Sequence, residues 1–196
     1  SLSVSLKLDG KVEEKFATKI QNYLETLKPE LPFLNSLNVE IETSNTFPHG
    51  TGIASSASGL SAFALTLTDY LKHLRPDEDP SVFYKRASFL ARLASGSACR
   101  SVYGGFTCWG DSEMTETTDK YATELSVHPE LALMHDSVLV ISGKEKNVSS
   151  TAGHGRMNDH FFAEARFKQA KYHFTRCVAA LKAGDMEAVG EILESE

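Results

Sequence analysis

Ser95-Gly96-Ser97-Ala98-Cys99-Arg100-Ser101-Val102-Tyr103-Gly104-Gly105-Phe106 reads as a run of small and hydroxyl-bearing residues around a single arginine. These side chains are too small to build a core, yet Leu90 and Phe106 anchor the run on both sides. A planar guanidinium among hydroxyl donors suits a carboxylate or a phosphate held through two parallel hydrogen bonds. The same composition also describes a solvated turn with a surface Arg100, and both readings stay open. In either case residues 95–105 are expected to be a loop, and 106–109 a short strand.

Moving outward, Val82, Phe83, Ala87, Leu90 and Ala91 fall on one side of a helix that precedes this loop. Pro76 and Pro80 separate it from an earlier helix, starting near Ser56, whose inner side is Leu60, Phe63, Ala64, Leu67 and Leu71. That earlier helix grows directly out of Gly52-Ile53-Ala54-Ser55-Ser56-Ala57-Ser58-Gly59. Small residues let a backbone approach a ligand closely, and a helix N-terminus offers unpaired N–H groups and partial positive charge. No Gly-Lys-Ser/Thr follows, so this is not a Walker A loop. It is either a phosphate cradle or a Ser-rich loop with an N-cap. Residues 45–51, with Pro48 and Gly50, form a loop before it.

Residues 1–6 alternate polar and apolar, the pattern of a half-buried strand, and 7–11 form a charged break. Phe16, Ile20, Tyr23, Leu24 and Leu27 predict an amphipathic helix over 13–27; Leu37, Val39 and Ile41 predict a strand over 36–43. On the other side, 111–128 is polar and weakly patterned, a surface excursion. Val138-Leu139-Val140-Ile141 predicts a strand. Lys144-Glu145-Lys146-Asn147-Val148-Ser149-Ser150-Thr151-Ala152-Gly153 follows it, either a polyanion site or an exposed, soluble hairpin. A helix over 161–181 with Gly184 as C-cap and another over 187–193 complete the pattern. Interspersed strands and helices make the class α+β or α/β.

Bulk properties narrow the function. The chain has 196 residues, 41% hydrophobic and 23% charged, an ordinary globular balance. Its net charge of −6 argues against nucleic-acid binding, which needs clustered Lys and Arg, but not against a small phosphate-bearing ligand. Cys99, Cys108 and Cys177 form no CxxC pair, as in a reducing compartment. No apolar stretch approaches the roughly 20 residues that span a bilayer, and no basic segment runs into an apolar one near Ser1, so a cytoplasmic location is expected. His49, His154 and His160 lack metal-site spacing. Arg100 beside Cys99 would lower its pKa, but without a histidine partner a cysteine nucleophile is not expected. Tyr103, Phe106 and Trp109 read as core side chains.

Taken in order, these segments resemble the mevalonate diphosphate decarboxylases, members of the GHMP small-molecule kinase superfamily. Gly52–Gly59 resembles the family's phosphate loop. Ala91-Arg92, Ser95-Gly96-Ser97-Ala98-Cys99-Arg100-Ser101, Gly104-Gly105-Phe106 and Trp109 resemble its most distinctive signature. Lys146 to Gly153 is similar to its Ser-Ser-Thr loop after a central strand, and residues 1–6 to an early Ser-rich strand. The resemblance implies an α+β, GHMP-kinase-like two-layer fold. Residues 1–130 would form an ATP-binding part, like domain 2 of ribosomal protein S5, and 131–196 the start of a second α+β part. It implies ATP-dependent decarboxylation of mevalonate 5-diphosphate to isopentenyl diphosphate. Ala54, Ser55, Ser56, Ser58 and Gly59 would bind ATP phosphates bridged by Mg²⁺, with no metal ligand from the protein. Arg100 would hold the substrate carboxylate, Ser95, Gly96 and Ser97 would line its site, and Lys146, Ser149 and Ser150 would hold the diphosphate. A cytoplasmic homodimer with no nucleic-acid or membrane partner is the implied setting.

The chain also departs from the family pattern. The family's early strand with Asn and Lys-Tyr-Trp contacts, and its catalytic aspartate beside an Ala-Gly-Pro turn, have no match here, so N- and C-terminal segments are expected to be lacking. Residues 7–11 are short for the family's extra β segment. Two alternatives accompany this reading: a related kinase or decarboxylase acting on mevalonate or its monophosphate, and a non-catalytic binding protein of the same fold.

Overall fold

The computed structural model describes residues 1–47, 52–112, 117–140, 153 and 155–196. A parallel pair of strands, β1 (Ser3–Leu8) and β3 (Asn38–Thr43), is extended on the β1 side by the short β2 (Lys11–Val12). Alternation decides which face is buried. Val4 lies opposite Val39 and Leu6 opposite Ile41, on the face turned to the helices. The other face is polar: Ser3 Oγ donates to Asn38 Oδ1 at 2.8 Å, and Lys7 reaches Glu42 at 3.4 Å. The expected break over 7–11 is half strand. β1 runs to Leu8, and Asp9 and Gly10, both at positive φ (52° and 78°), turn it back into β2. β2 is an additional β segment ahead of the helix.

Helix α1 (Glu14–Leu27) packs on the sheet through Ala17, Ile20, Tyr23, Leu24 and Leu27, close to the predicted stripe. Burying such side chains stabilises by roughly 1.5–3 kcal/mol each. The Tyr23 hydroxyl donates to the Leu90 carbonyl at 2.9 Å, and burial pushes its pKa up. A 3₁₀ turn (Pro32–Ser36) shortens the expected strand at its start.

Helix α2 (Ser55–Leu74) turns back through 75–79 and a 3₁₀ turn (Pro80–Val82) into α3 (Phe83–Ala94). Arg86 pairs bidentately with Glu78 across that turn. The short connection makes α2 and α3 antiparallel, and the two pack along each other. The next segment, Gly96–Val102, is a 3₁₀ helix and not the expected loop. Its Ala98 and Cys99 are fully buried and Val102 is buried. Their small size is what admits a helical backbone against α2 and α3, so the small residues join the core rather than avoid it.

The predicted strand at 106–109 is β4 (Thr107–Cys108), and it pairs with β5 (Thr123–Glu124) inside the stretch expected to be only a surface excursion. Ala122 beside β5 is fully buried. The strand predicted at 138–141 fails in its described part. Residues 138–140 have no strand partner among the described residues, and Leu131–Leu133 is a 3₁₀ turn. Helices α4 (Ala163–Ala183) and α5 (Met186–Ser195) follow, with Gly184 closing α4 at φ 78° and Asp185 capping α5 through the Ala188 N–H. They pack with Leu131, Phe106, Leu125 and Val127 in a second apolar cluster, separate from that of the sheet, α1, α2 and α3.

Candidate functional site

The two anion-binding candidates lie on elements that pack together: the 3₁₀ helix carrying Arg100 packs against α2, which starts at Ser55, and against α3. The α2 N-terminus has no side-chain cap: its N-cap is Ala54, held left-handed at φ 62°, and its first turn carries no acidic residue. A 20-residue helix thus presents its positive end without a built-in carboxylate. A non-glycine residue at positive φ is uncommon and here marks the turn into that end. Ser55 is buried, Ser58 half-buried and Ala54 and Ser56 exposed. A Cβ at Gly59 would sit 3.5 Å from the Phe16 ring, so Gly59 also serves the packing of α1 on α2.

The 3₁₀ helix sorts its residues by side. Ala98, Cys99 and Val102 face inward, while Arg100 and Ser101 are exposed and Ser95, Gly96 and Ser97 half-buried. Among the described residues no carboxylate pairs with Arg100 or with Arg92. Both guanidiniums lie over the Trp109 ring, Arg92 at 5.2 Å and Arg100 at 6.0 Å from its centroid. Trp109 Nε1 and Arg92 Nε donate to the same Asp119 carbonyl, at 3.0 and 2.9 Å. Two cations without a described counter-ion on one ring suit a ligand with more than one negative charge.

Ser88 holds this arrangement from beneath. Fully buried on α3, its hydroxyl donates to the Cys99 carbonyl and accepts from the Ala122 N–H, both at 2.9 Å. It is absent from the candidates that composition and motif suggest. Its signal in the sequence is position: a serine set between Ala87 and Ala91 on the inner side of a helix interrupts an apolar stripe, and a buried hydroxyl needs a partner. The thiol of Cys99 is pushed up in pKa by burial, against the opposing pull of Arg100 and Arg92. Its sulfur donates to the Gly96 carbonyl at 3.1 Å, a structural role. Trp109 belongs to neither apolar cluster, contrary to its reading as a core side chain.

Lys146, Ser149 and Ser150 lie outside the described residues, as do His49 and His154. Among the described residues no group of three or more His, Cys, Asp or Glu side chains is placed to hold a metal ion, and no helix is long and apolar enough to cross a membrane.

Comparison with known proteins points one way. The profile of the diphosphomevalonate decarboxylase-like N-terminal domain matches residues 3–122. The diphosphomevalonate decarboxylase of Ganoderma lucidum is 35% identical over 134 residues, covering 68% of this chain and 32% of that protein. The chain thus spans about a third of that curated relative. The crystal structure of a mevalonate diphosphate decarboxylase from Legionella pneumophila superposes with a TM-score of 0.68 at 26% identity, over 97% of this chain and 57% of that one. A structure described as MDDEF in complex with MVAPP, AMPPCP and magnesium gives a TM-score of 0.71 at 25% identity, over 100% and 57%. The fold is therefore the α+β, GHMP-kinase-type fold that the residues of the 3₁₀ helix and the α2 start implied. With its profile match running through both of those segments, the chain belongs to the diphosphomevalonate decarboxylase-like family.

Proposed function

We propose that this chain carries the anion-holding half of an ATP-dependent mevalonate 5-diphosphate decarboxylase, which releases isopentenyl diphosphate, ADP, phosphate and CO₂. The carrying observation is Arg100, exposed and without a carboxylate partner among the described residues, on a 3₁₀ helix packed against α2, whose own start has no side-chain cap. Arg100 holds the substrate carboxylate through its fork of donors, and Ser95, Gly96 and Ser97 line the same pocket. Ala54, Ser55, Ser56, Ser58 and Gly59 take the ATP phosphates at the helix end. The uncapped, acid-free first turn fits phosphate. Mg²⁺ supplies charge neutralisation on those phosphates, and no protein ligand for it is assigned. Lys146, Ser149 and Ser150 hold the diphosphate. A multiply anionic substrate needs preorganised donors more than a reactive side chain, which agrees with the buried, neutral Cys99 thiol.

Residues 1–130 then form the ATP-binding part and 131–196 the start of the second part. The enzyme is cytoplasmic, homodimeric and without a nucleic-acid partner.

The test is release of CO₂ and phosphate from mevalonate 5-diphosphate by the full-length protein bearing this chain, with mevalonate and its monophosphate as competing substrates. Arg100→Gln should lower kcat/KM at least tens of fold, about 2–4 kcal/mol of transition-state stabilisation. Near-normal turnover in that variant removes Arg100 from the carboxylate; preference for the unphosphorylated acid removes the diphosphate reading.

A further inference from the structure

An exposed arginine samples many rotamers, so a ligand that must be held in one orientation needs something to restrict it. Around Arg100 the restricting body is Trp109, the chain's only tryptophan. Its ring is half-buried rather than in the core, and it is fixed from three directions. Arg92 lies over it at 5.2 Å, its Nε1 is tied to the Asp119 carbonyl at 3.0 Å, and its Cη2 sits where a Cβ on Gly96 would be 3.2 Å away. Arg92 Nε donates to the same carbonyl, so ring and guanidinium are locked into one unit. Arg100, at 6.0 Å, meets the ring at the outer limit of a cation–π contact. The position is therefore biased rather than clamped.

We propose that Trp109 is a positioning residue for Arg100: seated on Gly96 and held by Arg92 and Asp119, its ring biases the direction in which the Arg100 guanidinium presents its donors. This rests on Arg100 as the carboxylate ligand. A Cβ at position 96 would press on the ring, which would have to give by a few tenths of an ångström.

Two readouts on the full-length protein separate this inference from the function it rests on. The first uses no substrate. Removing a cation from the ring should shift the emission maximum and acrylamide quenching of Trp109, taken as the difference from W109F so that any other tryptophan of the full-length protein cancels, in R92Q most and in R100Q less. Wild-type emission in both variants overturns the contact. The second is turnover of mevalonate 5-diphosphate. W109L should lower kcat about tenfold with the KM for ATP within about twofold, and W109F should stay within about threefold of wild type. Equal loss in W109L and W109F, or none in W109L, overturns the positioning role. If W109L does not fold, G96A serves, because it displaces the ring without removing it. It should shift the emission and lower kcat together, and a shift with unchanged kcat counts against the proposal. Should the wild-type protein turn over no mevalonate 5-diphosphate, the functional reading fails, while the substrate-free emission still judges the stack.

Discussion

Two regions of this molecule carry runs of apolar residues that meet opposite fates. In α2, α3 and the 3₁₀ helix, Leu60 is 0% exposed and Leu90 5%, whereas Leu133 is 77% and Leu139 86% exposed. The difference lies in how each region satisfies its backbone. A helix pairs its own N–H and C=O groups and needs neighbours only for its apolar stripe, which adjacent helices in the chain supply. A strand must find a second strand for its hydrogen bonds before its side chains can be covered. Residues 1–8 find β3 within the described chain; residues 138–140 find none among the described residues.

The largest expected effect breaks the buried side of this comparison. Leu60→Ala should destabilise the chain by about 2–5 kcal/mol in denaturant unfolding, because a close-packed site cannot collapse around the cavity. Ser88→Ala comes next, at about 1–3 kcal/mol, since it leaves the buried Ala122 N–H without its hydroxyl partner and removes the Ser88 bond to the Cys99 carbonyl. It should also lower turnover, as it loosens the 3₁₀ helix bearing Arg100; stability lost without turnover lost would separate the scaffold from the site.

A pH measurement probes the turn between α2 and α3. The hydrogen bond from Arg86 holds the Glu78 carboxyl below its ordinary value of 4.5. A carboxylate with a depressed folded-state pKa contributes stability that is present above the ordinary value and lost as pH falls through the folded one. Glu78→Gln should therefore flatten the stability curve below pH 4.5 and leave it parallel to wild type at neutral pH. An unchanged acid limb would place the acid sensitivity elsewhere. The smallest effect falls on the exposed side: Leu139→Ser should change the stability of this chain by less than about 0.5 kcal/mol. A cost of several times that would mean the run is covered, and the contrast with Leu60 would collapse.

The helices were legible because their signal is local. The stripe Ile20, Tyr23, Leu24, Leu27 and the prolines at 76 and 80 place α1, α2 and α3 within a residue or two. The site was half legible. Arg100 stands out by composition, and the start of α2 by its small residues; Arg92 and Trp109 enter only as part of the family signature, without a role, and Ser88 not at all, because their roles depend on what lies across from them. Nothing in the spacing of Arg92, Arg100 and Trp109 indicates that they share one ring and one carbonyl.

What the sequence by itself determined is therefore the α-helices, each held by hydrogen bonds within itself, together with the segments that are candidates for anion binding. Only the tertiary structure decided that 96–102 is helical, that its Ala98 and Cys99 are core, that β4 finds β5 across a polar excursion, and that a tryptophan stands beside the arginine. Those outcomes depend on close packing and pairing between residues far apart in the chain, and such contacts form only when the helices have already brought them together.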